Sequence, residues 1–495
     1  MKTNSLDFDA QALREKILDL AMRGKLVKQD PNDEPASVLL EKIKAEKEQL
    51  IKEKKIKKSK LLPPISDEEK PFEIPDSWEW VRLGDIGAWA AGATPSRKHP
   101  EYYGGTIPWL KTGDLNDGIV NETSEKITEL GVKNSSVKVN EPGNVLIAMY
   151  GATIGKLGIV GNQELVTNQA CCGCSLFDGV HNWYLFYYLL ASRKRLIDLG
   201  SGGAQPNISK NKIEKFTFPL PPLEEQSRIA AKIAQLFALL RKVESSTQQY
   251  AKLQTLLKSK VLDLAMRGKL VNQDPNDEPA SVLLEKIKAE KAELVKEKKI
   301  KKSKPLPEIT DDEKPFDIPD SWEWGRLGDI CLSNIGLTYK PSQKSEKPTK
   351  TIILRANNVE ANELNKENVI FLDIDNLKEK YYLKENDILM AVRSGSKRLV
   401  GKSAVVTPQF VGFSFGAFMS KIRILSANSW YVDYFLNSAA FRSQLGDANT
   451  TTINQITQGM INNFVLPLPP LSEQNRIAAK IAQLFALLRK DESSN

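Results

Sequence analysis

The sequence predicts an α+β protein. Two α/β domains sit at opposite ends of an antiparallel pair of long helices, related by a pseudo-two-fold internal repeat. Three observations predict it. The stretch "RIAAKIAQLFALLRK" occurs letter for letter at Arg228–Lys242 and at Arg476–Lys490. Asp19–Ile86 returns as Asp263–Ile330 with 58 of 68 positions identical, and Pro219–Lys242 returns as Pro467–Lys490 with 22 of 24 identical. Between these blocks lie 87–218 and 331–466, which share almost no identity yet keep apolar positions and turns in step.

In chain order, "LREKILDLAMRGK" (13–25) matches the end of a helix found whole in mid-chain, so 1–26 reads as the second half of a terminal scaffold helix. Residues 27–71 read as a helical arm. Leu39, Leu40, Ile43, Leu50 and Ile51 give it an apolar stripe, and interleaved Glu and Lys suit a solvated face. Residues 72–222 form the first variable domain. Residues 223–270 form the central helix, with Ile229, Ile233, Leu236, Phe237 and Leu240 on one face. Pro221 and Pro222 stop it extending backward, Glu224 and Glu225 suit its positive end, and Gly268 closes it. The "ESSTQQ" stretch (244–249) is where a break is expected. A second arm (271–315), a second variable domain (316–470) and the first half of the terminal helix (471–495) complete the repeat. Placing residue 495 beside residue 1 would restore the split helix. Two amphipathic helices hide their stripes by pairing antiparallel.

The variable domains carry one pattern. "PWLKTGDL" (108–115) aligns with "IILRANNV" (352–359), and "GNVLIAMY" (143–150) with "NDILMAVR" (386–393). "NWYLFYYLLAS" (182–192) aligns with "SWYVDYFLNSA" (429–439), and "ISKNKIEKFTFPLPP" (208–222) with "ITQGMINNFVLPLPP" (456–470). "VLIAM" and "ILMAV" read as strands and the Trp-Tyr segments as a helix.

Composition narrows the class. The 495 residues are 41% hydrophobic and 27% charged, with a net charge of +8, which suits an anionic partner. No long apolar run or signal core is present, so a cytoplasmic protein with no membrane partner is expected. Four cysteines make no disulfide framework. The search for catalytic residues is negative: no Asn/Asp-Pro-Pro-Tyr/Phe tetrad occurs, and only His99 and His181 are present. "GSKRLVGKS" (395–403) has five residues where a phosphate loop needs four, and "GATIGKL" (151–157) has three. "CCGC" (171–174) with His181 could formally hold zinc, but the aligned "AFMS" (417–420) has no ligands, and a packed strand fits better.

The most specific segments are "PLPPLEEQSRIAAKI" and "PLPPLSEQNRIAAKI", which close the variable domains, and "IPDSWEWVRLGDI" and "IPDSWEWGRLGDI", which open them. With "GATPSRKHPEYYGGTIPWLKTGDL" (92–115) and "SGGAQPNISKNKIEKFTFPLPP" (201–222), they resemble the specificity (HsdS) subunits of Type I restriction-modification systems over nearly the whole chain. The resemblance implies a non-catalytic subunit with two target-recognition domains. Each reads half of a bipartite site in double-stranded DNA, and the repeated helices set the spacing. They also dock two modification (methyltransferase) subunits, and restriction (translocase/endonuclease) subunits join the complex. No cofactor is expected on this chain; S-adenosylmethionine, ATP and magnesium belong to the partners. The alternative is a structural adaptor that bridges two identical proteins without reading DNA.

Candidate DNA-binding residues follow. Arg393, Lys397, Arg398 and Lys402 carry four positive charges with no acid among them, just beyond the strand "DILMAV". Arginine reads guanine bidentately, and lysine mostly meets phosphate. Arg355 lies on the neighbouring segment. The first domain offers Arg97, Lys98, Tyr150, Thr153, Lys156, Gln205, Asn207 and Lys210; Asn and Gln pair with adenine edges. The runs "EKIKAEKEQLIKEKKIKKSK" (41–60) and 285–304 each set nine lysines against four glutamates. They read as arms packed on the scaffold, with direct phosphate contact as the alternative.

Overall fold

The computed structural model describes residues 9–58, 61–200, 207–360, 362–374, 377–395, 399–445 and 454–493. Two compact units emerge, one of residues 8–246 and one built on 247–495. Their boundary falls inside the helix Leu223–Met266, which runs 44 residues without interruption. The break expected at 244–249 is therefore absent. Ser and Thr are weak helix formers but not breakers, and no Pro or Gly interrupts the segment. The helix stops at Met266, and Gly268 follows with φ +65°, donating its N–H to Ala265 and leaving Lys269 to bond Leu264. That is a Schellman closure, which needs a left-handed residue.

In the first unit, the helix Ala10–Met22 packs against the early turns of the long helix. Arg14 bonds Glu244 at 2.5 Å, and Leu18, Ala21 and Met22 share a core with Ile233, Phe237 and Leu240. The order of these contacts is antiparallel. In the second unit, Leu471–Ser493 packs against the late turns. Gln254 donates to the Leu488 carbonyl at 3.0 Å, and Leu262, Ala265 and Met266 meet Ile477, Ile481 and Phe485. Each unit thus pairs the first half of one helix copy with the second half of the other.

Each unit then carries a main sheet and a second sheet, with the central strands in matching order. In the first, the main sheet has the order Gly87–Ala91, Cys171–Leu176, Val145–Ala148, Leu157–Val160, Gly118–Val120. In the second it is Cys331–Ile335, Met419–Ile424, Asp387–Ala391, Ser403–Val405. The second sheets centre on Tyr103–Leu110 and Thr351–Leu354, each paired in parallel with a strand leading back to the main sheet. The strands and helices expected from "VLIAM", "ILMAV" and the Trp-Tyr segments are present. One alignment shifts. The backbone pairings give Cys171–Cys174 of the first unit the position that Met419–Ile422 holds in the second, two residues from "AFMS".

The cores form where these layers meet. Tyr184 and Tyr431, both fully buried, donate to the Pro219 and Pro467 carbonyls at 3.0 and 2.7 Å, pinning the Trp-Tyr helix to the strand that leads into the scaffold helix. The arm helices Ala36–Lys52 and Ala280–Lys296 bury Leu39 and Ile43, and Leu283 and Ile287, against the same cores.

Candidate nucleic-acid interface

Where each main sheet ends away from the scaffold, loops converge into a rim. In the first unit, the strand Gly87–Ala91 runs into Gly92, whose N–H bonds the Cys171 carbonyl. A Cβ at Gly92 would sit 2.1 Å from the Thr167 carbonyl oxygen, so only glycine permits this crossing. The next loop places Thr94 to donate to the Gln169 side chain, and Gln169 in turn contacts the Tyr150 hydroxyl. Tyr150 forms a β-bridge with Asn207, and Ile208 bonds the Met149 carbonyl at 2.7 Å. Thr94, Gln169, Tyr150 and Asn207 thus form one polar path across the rim. Burial raises the pKa of the Tyr150 phenol, keeping it a neutral donor.

The other expected residues fall around this path. Thr153 and Lys156 close the loop after Tyr150, with the Lys156 N–H bonded to the Thr153 carbonyl at 2.9 Å. Lys210 opens the short helix Lys210–Glu214, capped by Ser209, and pairs with Glu214 at 3.2 Å. Arg97 is exposed but tethered: it pairs with Glu125 at 2.8 Å and lies 4.1 Å over the Tyr103 ring and 5.4 Å over Trp109. Lys98 beside it is exposed. Lys111 reaches the same Glu125 at 2.8 Å. Gln205, Lys397 and Arg398 lie outside the described residues.

The second unit repeats the frame with other side chains. Arg393 bridges backbone to Gln455, as Tyr150 does to Asn207. Ile456 bonds the Val392 carbonyl, as Ile208 bonds Met149. Val392 bonds the Phe418 carbonyl, as Met149 bonds that of Ala170. The Arg393 guanidinium stacks 5.3 Å over Phe418, whose ring is 55% exposed. Lys402 occupies the place of Lys156, its N–H bonded to the Leu399 carbonyl. Arg355 occupies the place of Lys111. Both backbone N–H groups bond an acidic or amide side chain three residues on, Asn358 and Asp114, at 2.8 Å. Arg355 also donates to the Asn368 carbonyl at 2.6 Å. Sequence reasoning missed Gln455, Phe418, Gln169 and Lys111. Gln455 stood one residue before an aligned block, and Phe418 was hidden by the two-residue shift.

The cysteines belong elsewhere. Cys172 and Cys174 point into the core beneath the scaffold, while Cys171 points into the opposite cluster. Burial pushes the Cys172 thiol up to about 12 and raises the others as well, so none is a ready metal-binding thiolate. Among the described residues, no three His, Cys, Asp or Glu side chains group as a metal site would need. Also among them, no helix is long and apolar enough to cross a membrane.

Comparison with known proteins agrees with this frame. Residues 75–254 and 319–494 match the family described as "Type I restriction modification DNA specificity domain". The specificity subunit of the Type I restriction enzyme EcoAI of Escherichia coli is 34% identical, over 98% of this chain and 90% of that protein. That of EcoEI, also from Escherichia coli, is 31% identical over 97% and 89%. Among solved structures, one from a study of complex assembly and conformational transition of a type I restriction-modification system matches with a TM-score of 0.55 at 21% identity, over 86% of this chain and 94% of that one. The HsdS subunit of Thermoanaerobacter tengcongensis matches with a TM-score of 0.50 at 20% identity, over the same shares.

Proposed function

The chain belongs to the Type I restriction modification DNA specificity family, and on that premise we propose that each rim reads one half of a bipartite site in double-stranded DNA. The observation that carries this reading is the shared frame. Tyr150 and Arg393, Asn207 and Gln455, and Ala170 and Phe418 occupy matching backbone positions with different side chains. A rigid frame with exchanged tips is what two different half-sites require. Arg393 suits guanine O6 and N7, and the amides of Asn207 and Gln455 suit adenine. Lys156 and Lys402, kept in both rims, suit phosphate. Arg97, braced by two rings and Glu125, enters the groove pre-oriented.

The chain itself is non-catalytic in this reading. Two modification subunits dock on the near-identical scaffold copies and supply S-adenosylmethionine-dependent methylation. Restriction subunits supply ATP- and magnesium-dependent cleavage, and the whole assembly works in the cytoplasm. The long helix spaces the two readers. The test replaces 331–466 by the corresponding domain of another family member and sequences the methylated motif in cells that also carry the partner subunits. One half of the motif should change and the other stay. A change in both halves, or methylation by the isolated chain, would overturn the reading.

A further inference from the structure

We propose that the basic turn ending each arm helix is a phosphate clamp that grips the DNA backbone beside each rim. The proposal rests on the reading above that duplex DNA is the ligand. The arm helix Ala36–Lys52 closes with a Schellman motif: Lys54 bonds the Ile51 carbonyl at 3.1 Å and Lys55 bonds Leu50 at 2.9 Å. The second arm repeats it, Lys298 to Val295 at 3.0 Å and Lys299 to Leu294 at 2.9 Å. Lys54 and Lys298 therefore sit at φ +56° and +58°.

That position is normally glycine, because a Cβ is strained there. The same chain uses glycine for the same job at Gly24 and Gly268, both at φ +65°. A lysine tolerated twice in a strained position points to its side chain as the reason.

The charge is concentrated and presented outward. Residues 52–58 hold five lysines and one glutamate, and 296–302 hold the same. All ten lysines are exposed. Lys55 and Lys299 spend part of their charge on Glu53 and Glu297, at 2.8 and 2.9 Å. Ile56 packs on the core and holds the turn in place.

The location fits as well. Lys47, one turn before the helix end, donates to the Gly84 carbonyl at 2.7 Å, and Lys291 donates to that of Gly328. Gly84 lies against Leu62 and Glu214, and Gly328 against Asn462. Glu214 and Asn462 sit at the far ends of the short helices that begin just after Asn207 and Gln455. The chain thus leaves Gly84 at Lys47 and is back there at Leu62, with the basic turn between, so the turn is tethered at both sides to Gly84, which meets the end of the short helix Lys210–Glu214. The two rims differ in side chains, yet the two turns do not. Phosphates are the part of DNA that does not vary with sequence.

The test uses the full chain assembled with its modification subunits and two duplexes, one with the methylated motif and one scrambled. Lys54, Lys55, Lys57 and Lys58 are changed to Gln in one variant, and Lys298, Lys299, Lys301 and Lys302 in another. The plot of log K against log salt should flatten by about 0.9 per lost phosphate contact. Affinity for both duplexes should fall by the same factor, and the methylated motif should stay unchanged. Lys54→Gly guards against a folding defect: it should raise the melting temperature while still flattening the slope. An unchanged slope overturns the clamp. So does an unchanged slope with weakened assembly, which would assign the turn to a partner protein. If the parent complex does not prefer its motif, the reading under Proposed function fails, while the slope still decides the clamp.

Discussion

Two kinds of place in this chain obey opposite rules. At the joint between arm, domain and scaffold helix, Glu225 accepts from Trp78 Nε1 at 2.9 Å and Gln29 Nε2 at 2.5 Å. In the other unit, Glu473 accepts from Trp322 at 2.9 Å and Gln273 at 2.6 Å. Arg228 grips Asp33 with two bonds, and Arg476 grips Asp277 the same way. At the rims, matching backbone positions carry Tyr150 in one unit and Arg393 in the other. The difference teaches where sequence freedom lies. Glu225 and Glu473 are 1% exposed and burial raises both carboxyl pKa values, so each needs every donor it has. Removing one partner leaves a buried polar group unpaired. A rim side chain has water as its alternative partner, and the frame beneath does not depend on it.

The largest effect should come from breaking the joint equally in both units. Arg82 and Arg326 are almost enclosed. Arg82 bonds Glu69 twice, at 2.7 and 2.9 Å, together with the Pro63, Pro64 and Lys215 carbonyls. Arg326 bonds Glu313 and three matching carbonyls. Arg82→Ala and Arg326→Ala should each cost about 1–3 kcal/mol in denaturant unfolding for each carbonyl left without its donor, while the part-exposed Glu69 and Glu313 carboxylates turn to water. A large loss in one unit and a small one in the other would break the equivalence. The guanidinium also holds the Glu69 and Glu313 carboxyls down at about 2. Their contribution should therefore be full above about pH 4.3 and vanish as pH falls toward 2.

A second contrast lies inside the variable domains. The Trp-Tyr helices set Tyr187 edge-to-face on Phe237 at 5.9 Å and Tyr434 edge-to-face on Phe485 at 6.0 Å, so Phe186 of the first unit occupies the position that Asp433 holds in the second. Asp433 is fully buried, accepts from Ser403 Oγ at 2.6 Å, and is pushed up to about 7 by that burial. A raised carboxyl pKa means the folded state holds a proton that the unfolded state releases. Its stabilising contribution is full below about pH 4 and is lost as pH rises through 7. Asp433→Asn should flatten the pH dependence of melting between about pH 4 and 7, by at most about 4 kcal/mol at the upper end. The first unit has no carboxyl at that position. Melting that keeps its slope in the Asn variant would remove Asp433 as the cause.

Next in size is the rim itself. Arg393→Ala should weaken discrimination in one half of the methylated motif by about 1–3 kcal/mol per lost bidentate contact. Tyr150→Ala should act only on the other half. Motif sequencing of both variants reads this, and an effect of either variant on both halves would contradict separate readers.

Much of this frame was legible because apolar spacing and the repeat report the same thing. The helix stripe of Ile229, Ile233 and Phe237 is buried as its period requires. What failed did so for physical reasons. Shifting a strand by two residues preserves which side chains face inward, so pattern alone could not separate "AFMS" from Met419–Ile422. That slip concealed Phe418. The expected break at 244–249 failed because propensity is a weak prior against a helix packed on both flanks. The rim residues were legible as loops but not as a path. The Gln169 contact depends on two strands meeting, and no local spacing encodes that.

The smallest expected effect tests the continuous helix as a spacer. Four residues inserted after Ser246 fall between the two local pairings, Arg14 with Glu244 and Gln254 with Leu488, and leave both intact. They lengthen the helix by about 6 Å and turn its far half by about 40°. One base pair adds about 3.4 Å of rise and turns DNA by about 34–36°. The rotations nearly match, while two base pairs would overshoot in rotation by about 30°. The methylated motif should therefore gain one base pair in its spacer, with both half-sites unchanged. Ala inserts serve best, since they favour the helix that the argument needs. An unchanged spacer with methylation retained would show that something other than this helix sets the distance.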